Sequence, residues 1–219
     1  MLATWESPAW EALLDEGYAA INNWVDLRRF PFSPDLGKGA CFIGREYKSL
    51  IASIAASVWD EKIDCYADQW TQDYPANMIW SGFGDTAEVA YRYRLCFASA
   101  LAALECMAAG RFVICGQPHA LLAAESRLVL PENVDELARG RFAYRGALDA
   151  NIQVSPSAVM ESVLTAMRGG HMLRERRRLR EWVEEYRNGE TQMARVFRFY
   201  EKVIATAKPS SPIRRPWGI

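Results

Sequence analysis

Five guanidinium groups fall within seven residues, where Arg174, Arg176, Arg177, Arg178 and Arg180 are interrupted only by Glu175 and Leu179. A guanidinium meets phosphate or carboxylate through two parallel N–H donors, so a cluster this dense is chemistry for holding an anion. It follows Gly169-Gly170 and opens a helical pattern, with Glu181, Glu184 and Glu185 toward the other end. Cations at a helix start and carboxylates at its end both oppose the macrodipole, at up to about 1 kcal/mol for each exposed charge. The pairs Arg177 with Glu181 and Arg180 with Glu184 are in the less favourable order and return only about 0.2–0.5 kcal/mol each. Every residue between Leu173 and Leu179 is charged. The turn is therefore expected to project from the core, and reversing Arg176, Arg177 and Arg178 to Glu is expected to spare the fold and abolish binding. Arg195 and Arg198 add a basic stripe on the next helix, and Arg214 and Arg215 sit in a Pro-containing tail.

Three other constellations carry less. Asp60, Asp64 and Asp68 line one helical face if residues 45–70 are a helix, and such carboxylates can take a divalent cation. Helix-borne acids beside an aromatic stripe are more often a solvated face, and no His or EF-hand pattern accompanies them. Cys115 and His119 lack an orienting third group or further metal ligands. Lys38 between Gly37 and Gly39 is not a P-loop, which needs G-x-x-x-x-G-K-[ST] after a strand. No catalytic residue, metal or cofactor is assigned.

The composition sets bounds. With 219 residues, 50% hydrophobic and 24% charged, the chain can bury a substantial core unaided. Cys41, Cys65, Cys96, Cys106 and Cys115 are odd in number without a C-x-x-C spacing, so they read as small buried hydrophobes in a reducing compartment. No leader is recognisable at the amino terminus, and the most apolar stretch, 95–109, is shorter than the roughly 20 residues of a membrane span. A cytoplasmic protein with no membrane partner is expected. The net charge of −1 conceals an asymmetry: residues 1–110 hold 8 basic and 15 acidic groups, residues 111–219 hold 18 and 12.

The elements that must position these groups follow from periodicity. Residues 8–29 and 45–70 read as amphipathic helices, and 85–109 as a nearly all-apolar central helix begun by the capping box Asp85-Thr86-Ala87-Glu88 and ended by Gly110. Residues 40–43 allow a short extended piece. The middle is β-prone at 111–115, 127–131 and 151–154, with short helices at 118–125 and 131–138. A three-helix tail covers 155–168, 172–187 and up to residue 207. The apolar stripe Met193, Val196, Phe197, Tyr200, Val203 and Ile204 is expected to pack on Leu179, Trp182, Val183 and Tyr186.

The fold class expected is mainly α, a multi-helix bundle with a small β-sheet or hairpin in the middle and a carboxyl-terminal three-helix segment. Residues 1–110 form an acidic helical region, 111–154 a mixed region, 155–207 a basic segment and 208–219 a flexible tail. The function expected is a non-enzymatic nucleic-acid-binding protein, DNA favoured over RNA, reading through an arginine-rich helix after a glycine turn. The alternative is a helical interaction module, adaptor or inhibitor, docking its arginines on an acidic protein surface. Either is compatible with a homo-oligomer.

Overall fold

The computed structural model describes residues 2–3, 19–20, 23–44, 62–67, 76–82, 84–115, 127–139, 142 and 172–206. The contacts divide the chain into two units, residues 23–189 and residues 1–22 with 190–219. The smaller unit holds two parallel two-residue strands, β1 (Leu2–Ala3) and β2 (Ala19–Ala20), and most of a long helix that spans Gly189–Thr206.

The larger unit is built on a six-stranded sheet. Its strands are β3 (Ala40–Ile43), β4 (Ile63–Tyr66), β5 (Met78–Gly82), β6 (Leu95–Ala98), β7 (Phe112–Cys115) and β8 (Arg127–Leu128). They lie in the order β5-β4-β3-β6-β7-β8, the first five parallel and β8 antiparallel. The helices are α1 (Thr86–Val89), continued by a 3-10 turn at Ala90–Arg92, α2 (Ala100–Ala108), α3 (Val134–Arg139), α4 (Met172–Tyr186) and α5 (Gly189–Thr206).

The strands explain the sheet. β3, β6 and β7 are buried at all four positions, so alternate side chains enter two different cores. Cys41, Ile43, Cys96, Ala98, Val113 and Cys115 face the core completed by α2 and by Leu179 and Val183 of α4. Ala40, Phe42, Leu95, Phe97, Phe112 and Ile114 face the other core, which Met172 joins. Parallel strands covered on both faces read as unbroken apolar runs, not as alternation.

This doubly wound sheet replaces the expected helical bundle. The 95–109 run is a strand and a helix joined at Ser99, because apolar periodicity alone does not distinguish a doubly buried strand from a buried helix. Within 45–70, Ile63–Tyr66 is a strand hydrogen-bonded on both sides; within 8–29, Ala19–Ala20 is a strand, Val25 bridges Asn188 and 27–29 turn. Asp85 does cap a helix, accepting from the Ala87 amide at 2.9 Å, but that helix is only four residues long. The extended piece at 40–43 stands as read, strands occupy 112–115 and 127–128 of the β-prone runs 111–115 and 127–131, and the helices read at 131–138, 172–187 and up to 207 fall at 134–139, 172–186 and 189–206. Of the two stripes expected to pack together, Leu179 and Val183 turn into the α/β core, and Met193, Phe197, Tyr200 and Ile204 are exposed. Segments 118–125, 151–154 and 155–168 lie outside the described residues.

Candidate active site and the arginine cluster

In an open α/β sheet, ligands sit beyond the carboxyl ends of the strands where the order reverses, here between β3 and β6. β3 ends there in Ile43-Gly44, and β6 ends in Ala98-Ser99 at the start of α2. Ser99 is extended, with φ −134° and ψ 166°, and its side chain caps no amide. Ala100 follows at φ +49°, in the left-handed region that alanine rarely adopts. This sharp strand-to-helix corner delivers the first-turn amides of a nine-residue helix to the reversal point, with no acid among the first-turn side chains. Unpaired amides and the positive end of the dipole make such a place suited to an anion, above all a phosphate.

The carboxylates beside the sheet and α2, Asp85, Glu105 and Asp64, are engaged. Asp85 caps α1 and holds Arg29 at 2.5 Å. Glu105 stands half-buried on α2 with Thr86 as hydrogen-bond partner; burial raises its pKa, while Thr86 and then Arg29 pull the other way. Asp64, on β4, accepts from the Tyr93 hydroxyl at 2.5 Å and from Ser81 at 3.4 Å, and the Tyr66 hydroxyl lies 2.9 Å from that of Tyr93. Burial first, then the bond to Asp64, pushes the Tyr93 phenol far above its ordinary value. The same placement dissolves the expected Asp60, Asp64 and Asp68 face: Asp64 is on a strand, and the other two are outside the described residues. No cluster of three metal-ligating side chains occurs among the described residues. Cys115 ends β7 fully buried, and His119 is outside the described residues. All five cysteines are buried free thiols, as their composition implied.

The arginine cluster divides. Arg176 is 4% exposed and occupies the inward stripe Met172, Arg176, Leu179, Val183. Its Nη1 donates to the carbonyls of Gly110 at 2.8 Å and Ser33 at 3.4 Å, its Nη2 to that of Pro34 at 2.7 Å, and its guanidinium lies over the rings of Phe32 and Phe112. Arg180 donates through Nη1 to the carbonyls of Ala108, at 2.8 Å, and Phe30, and through Nε to Glu184 at 2.6 Å. Arg111, 1% exposed, donates to Ala109 at 3.0 Å and Ser33 at 2.9 Å. Three cations thus gather on the last carbonyls of α2, where the dipole is negative and backbone acceptors are otherwise orphaned. Desolvation lowers the pKa of both Arg111 and Arg176 from the ordinary arginine value.

Expectations about the cluster change accordingly. The all-charged turn does not project from the core, because a guanidinium buries its stem and finds carbonyl acceptors within. Arg174, Arg177 and Arg178 are exposed, as are Arg195 and Arg198, the latter donating to Ala194 of its own helix at 3.3 Å. Arg214 and Arg215 lie outside the described residues. What the sequence reading missed is Ser99, a small polar residue inside an apolar run and thus a helix-start signal.

No protein-family model and no curated protein matches the sequence. Solved structures do match its fold. A glycosyltransferase from Rickettsia africae ESF-5 superposes with a TM-score of 0.59 at 9% identity, over 91% of this chain and 62% of that one. A GtfA/B complex gives 0.53 at 13% identity, over 91% of this chain and 44% of the other. The chain therefore spans less than two thirds of the length of either. No described helix is long and apolar enough to cross a membrane. The expected nucleic-acid reader and the expected adaptor are both overturned: the fold has glycosyltransferases as its neighbours, and Arg176 and Arg180 are spent on backbone carbonyls. The chain has an α/β, Rossmann-like fold, shared with these structures.

Proposed function

We propose that this chain is the donor-binding part of a sugar-transferring enzyme, holding the diphosphate of an activated sugar at the start of α2. The observation that carries the reading is the delivery of α2's first-turn amides to the point where the strand order reverses. As the bond from sugar to diphosphate breaks, negative charge grows on the departing phosphate. Fixed amide dipoles aimed at that charge stabilise it more than they stabilise the intact donor. The likeness in fold to glycosyltransferases supports this reading.

Leu101, 41% exposed in the first turn of α2, provides the test. Leu101→Asp places a carboxylate where the dipole favours it but a phosphate would be repelled. Calorimetry with uridine and guanosine diphosphates and their glucose conjugates should show binding to the wild type and at least about a tenfold loss in the variant, a difference of about 1.4 kcal/mol. The melting temperature should be unchanged or higher. Equal affinity in the two proteins removes the phosphate from this helix.

A further inference from the structure

The outward face of α4 carries a charge pattern that neither the core nor the proposed donor site uses. Arg174, Arg178, Glu181 and Glu185 stand at i, i+4, i+7 and i+11, a single stripe along the helix, and all four are exposed. Arg177 and Glu184, seven residues apart and also exposed, flank that stripe on one side. The face is therefore basic in its first half and acidic in its second. Within one chain this order opposes the helix dipole at both ends. Local pairing relieves little of it: Arg178 reaches Glu175 at 3.5 Å and Glu132 at 3.9 Å, Glu184 holds Arg180, and Arg174, Arg177 and Glu181 have no ion pair among the described residues.

We propose that this face docks on the same face of a second copy of the chain, the two α4 helices antiparallel about a two-fold axis near the middle of the helix. The register that centres the axis between Arg178 and Glu181 sets Arg174 opposite Glu185 and Arg178 opposite Glu181. On the flank it brings Arg177 to within about 3 Å along the axis of the partner's Glu184, and symmetry makes every pair twice. The arrangement also brings the negative end of each helix beside the other's arginines, so the dipole conflict within a chain becomes an attraction between chains. A parallel arrangement would set like charge on like. Exposed ion pairs are individually weak and screened by salt, so the dimer is reversible and dissociates as ionic strength rises.

Sedimentation velocity on the full chain tests this with two double reversals. Arg174→Glu with Arg178→Glu makes the stripe wholly acidic, and Glu181→Arg with Glu185→Arg makes it wholly basic. At low ionic strength the wild type should dimerise in a concentration-dependent manner, and in about 1 M salt, where the Debye length is about 3 Å, it should be monomeric. Each reversal alone should weaken self-association at least tenfold, on the order of 1.4 kcal/mol. An equimolar mixture of the two should restore it as a heterodimer. Circular dichroism checks that both variants fold, which the exposure of all four positions favours. A wild type that stays monomeric at low salt overturns the proposal, as does a dimer that survives high salt, or one that persists in both reversals alone. Nucleoside diphosphate binding, read separately, should be the same in both reversals, so failure here is distinguishable from failure of the donor site.

Discussion

The inward and outward stripes of α4 share a helix, a spacing and a residue type, yet their arginines do opposite things. Met172, Arg176, Leu179 and Val183 face the α/β unit, and Arg176 completes that stripe by donating to three carbonyls while its guanidinium lies over two rings. Arg174 and Arg178, two residues away on either side, meet solvent and weak ion pairs. Charge alone does not predict burial; what decides is whether acceptors await the buried group. The Ser33 and Pro34 carbonyls of the loop after Phe32 and the Gly110 carbonyl just past α2 supply them, all free of any helix or strand ladder.

The largest effect expected from this contrast is that of Arg176→Glu. A carboxylate facing the carbonyls of Gly110, Ser33 and Pro34 is an unpaired buried charge, and breaking such a site costs about 3–5 kcal/mol. Against a total stability of about 5–15 kcal/mol, urea denaturation should show a much lowered midpoint or no cooperative transition. The triple reversal of Arg176, Arg177 and Arg178 should therefore unfold the chain, contrary to the expectation from sequence.

A smaller effect should come from Glu105, half-buried on α2 without a cation clamped to it. Because its folded pKa is raised above the ordinary value of 4.5, the folded chain holds this proton more tightly than the unfolded one. Stability then falls as pH rises from about 4.5 through the raised pKa. Glu105→Gln keeps the Thr86 partner and removes that fall, so its melting temperature should match the wild type at acid pH and exceed it at neutral pH. Solvent screening at this half-exposed site limits the gain to about 2 °C. The smallest effect is that of Arg177→Glu, which in about 1 M salt should change unfolding free energy by no more than about 0.5 kcal/mol. A loss near that of Arg176→Glu would erase the distinction between the two stripes.

Part of the fold was legible. Asp85 announced a cap, Gly110 a helix end at φ +77°, and the alternating stripes of 172–186 and 189–206 announced two helices. The sheet was legible only in part: Ala40–Ile43 and Phe112–Cys115 read as short extended pieces, whereas Leu95–Ala98, buried on both faces with no period-2 signal, was absorbed into a helix. The candidate site was not legible, since it consists of backbone amides at Ser99–Leu101 and needs no diagnostic side chain. The cluster that drew attention was read as a surface because its carbonyl acceptors, Phe30, Ser33, Pro34, Ala108 and Gly110, lie 66 to 150 residues away in the chain.

By itself the sequence determined which segments are apolar enough to be buried, that Asp85 caps a helix and Gly110 follows one, that 172–186 and 189–206 are helical, and that 174–180 must meet acceptors or anions. Local chemistry suffices for these, because capping, periodicity and charge density act over a few residues. Only the tertiary structure decided that the apolar runs become parallel strands, that Ser99 opens a helix at the reversal of strand order, and that Arg176 and Arg180 turn inward. Those outcomes depend on partners distant in sequence. A strand exists only when its neighbours supply hydrogen bonds, and a guanidinium is buried only where carbonyls from other segments converge.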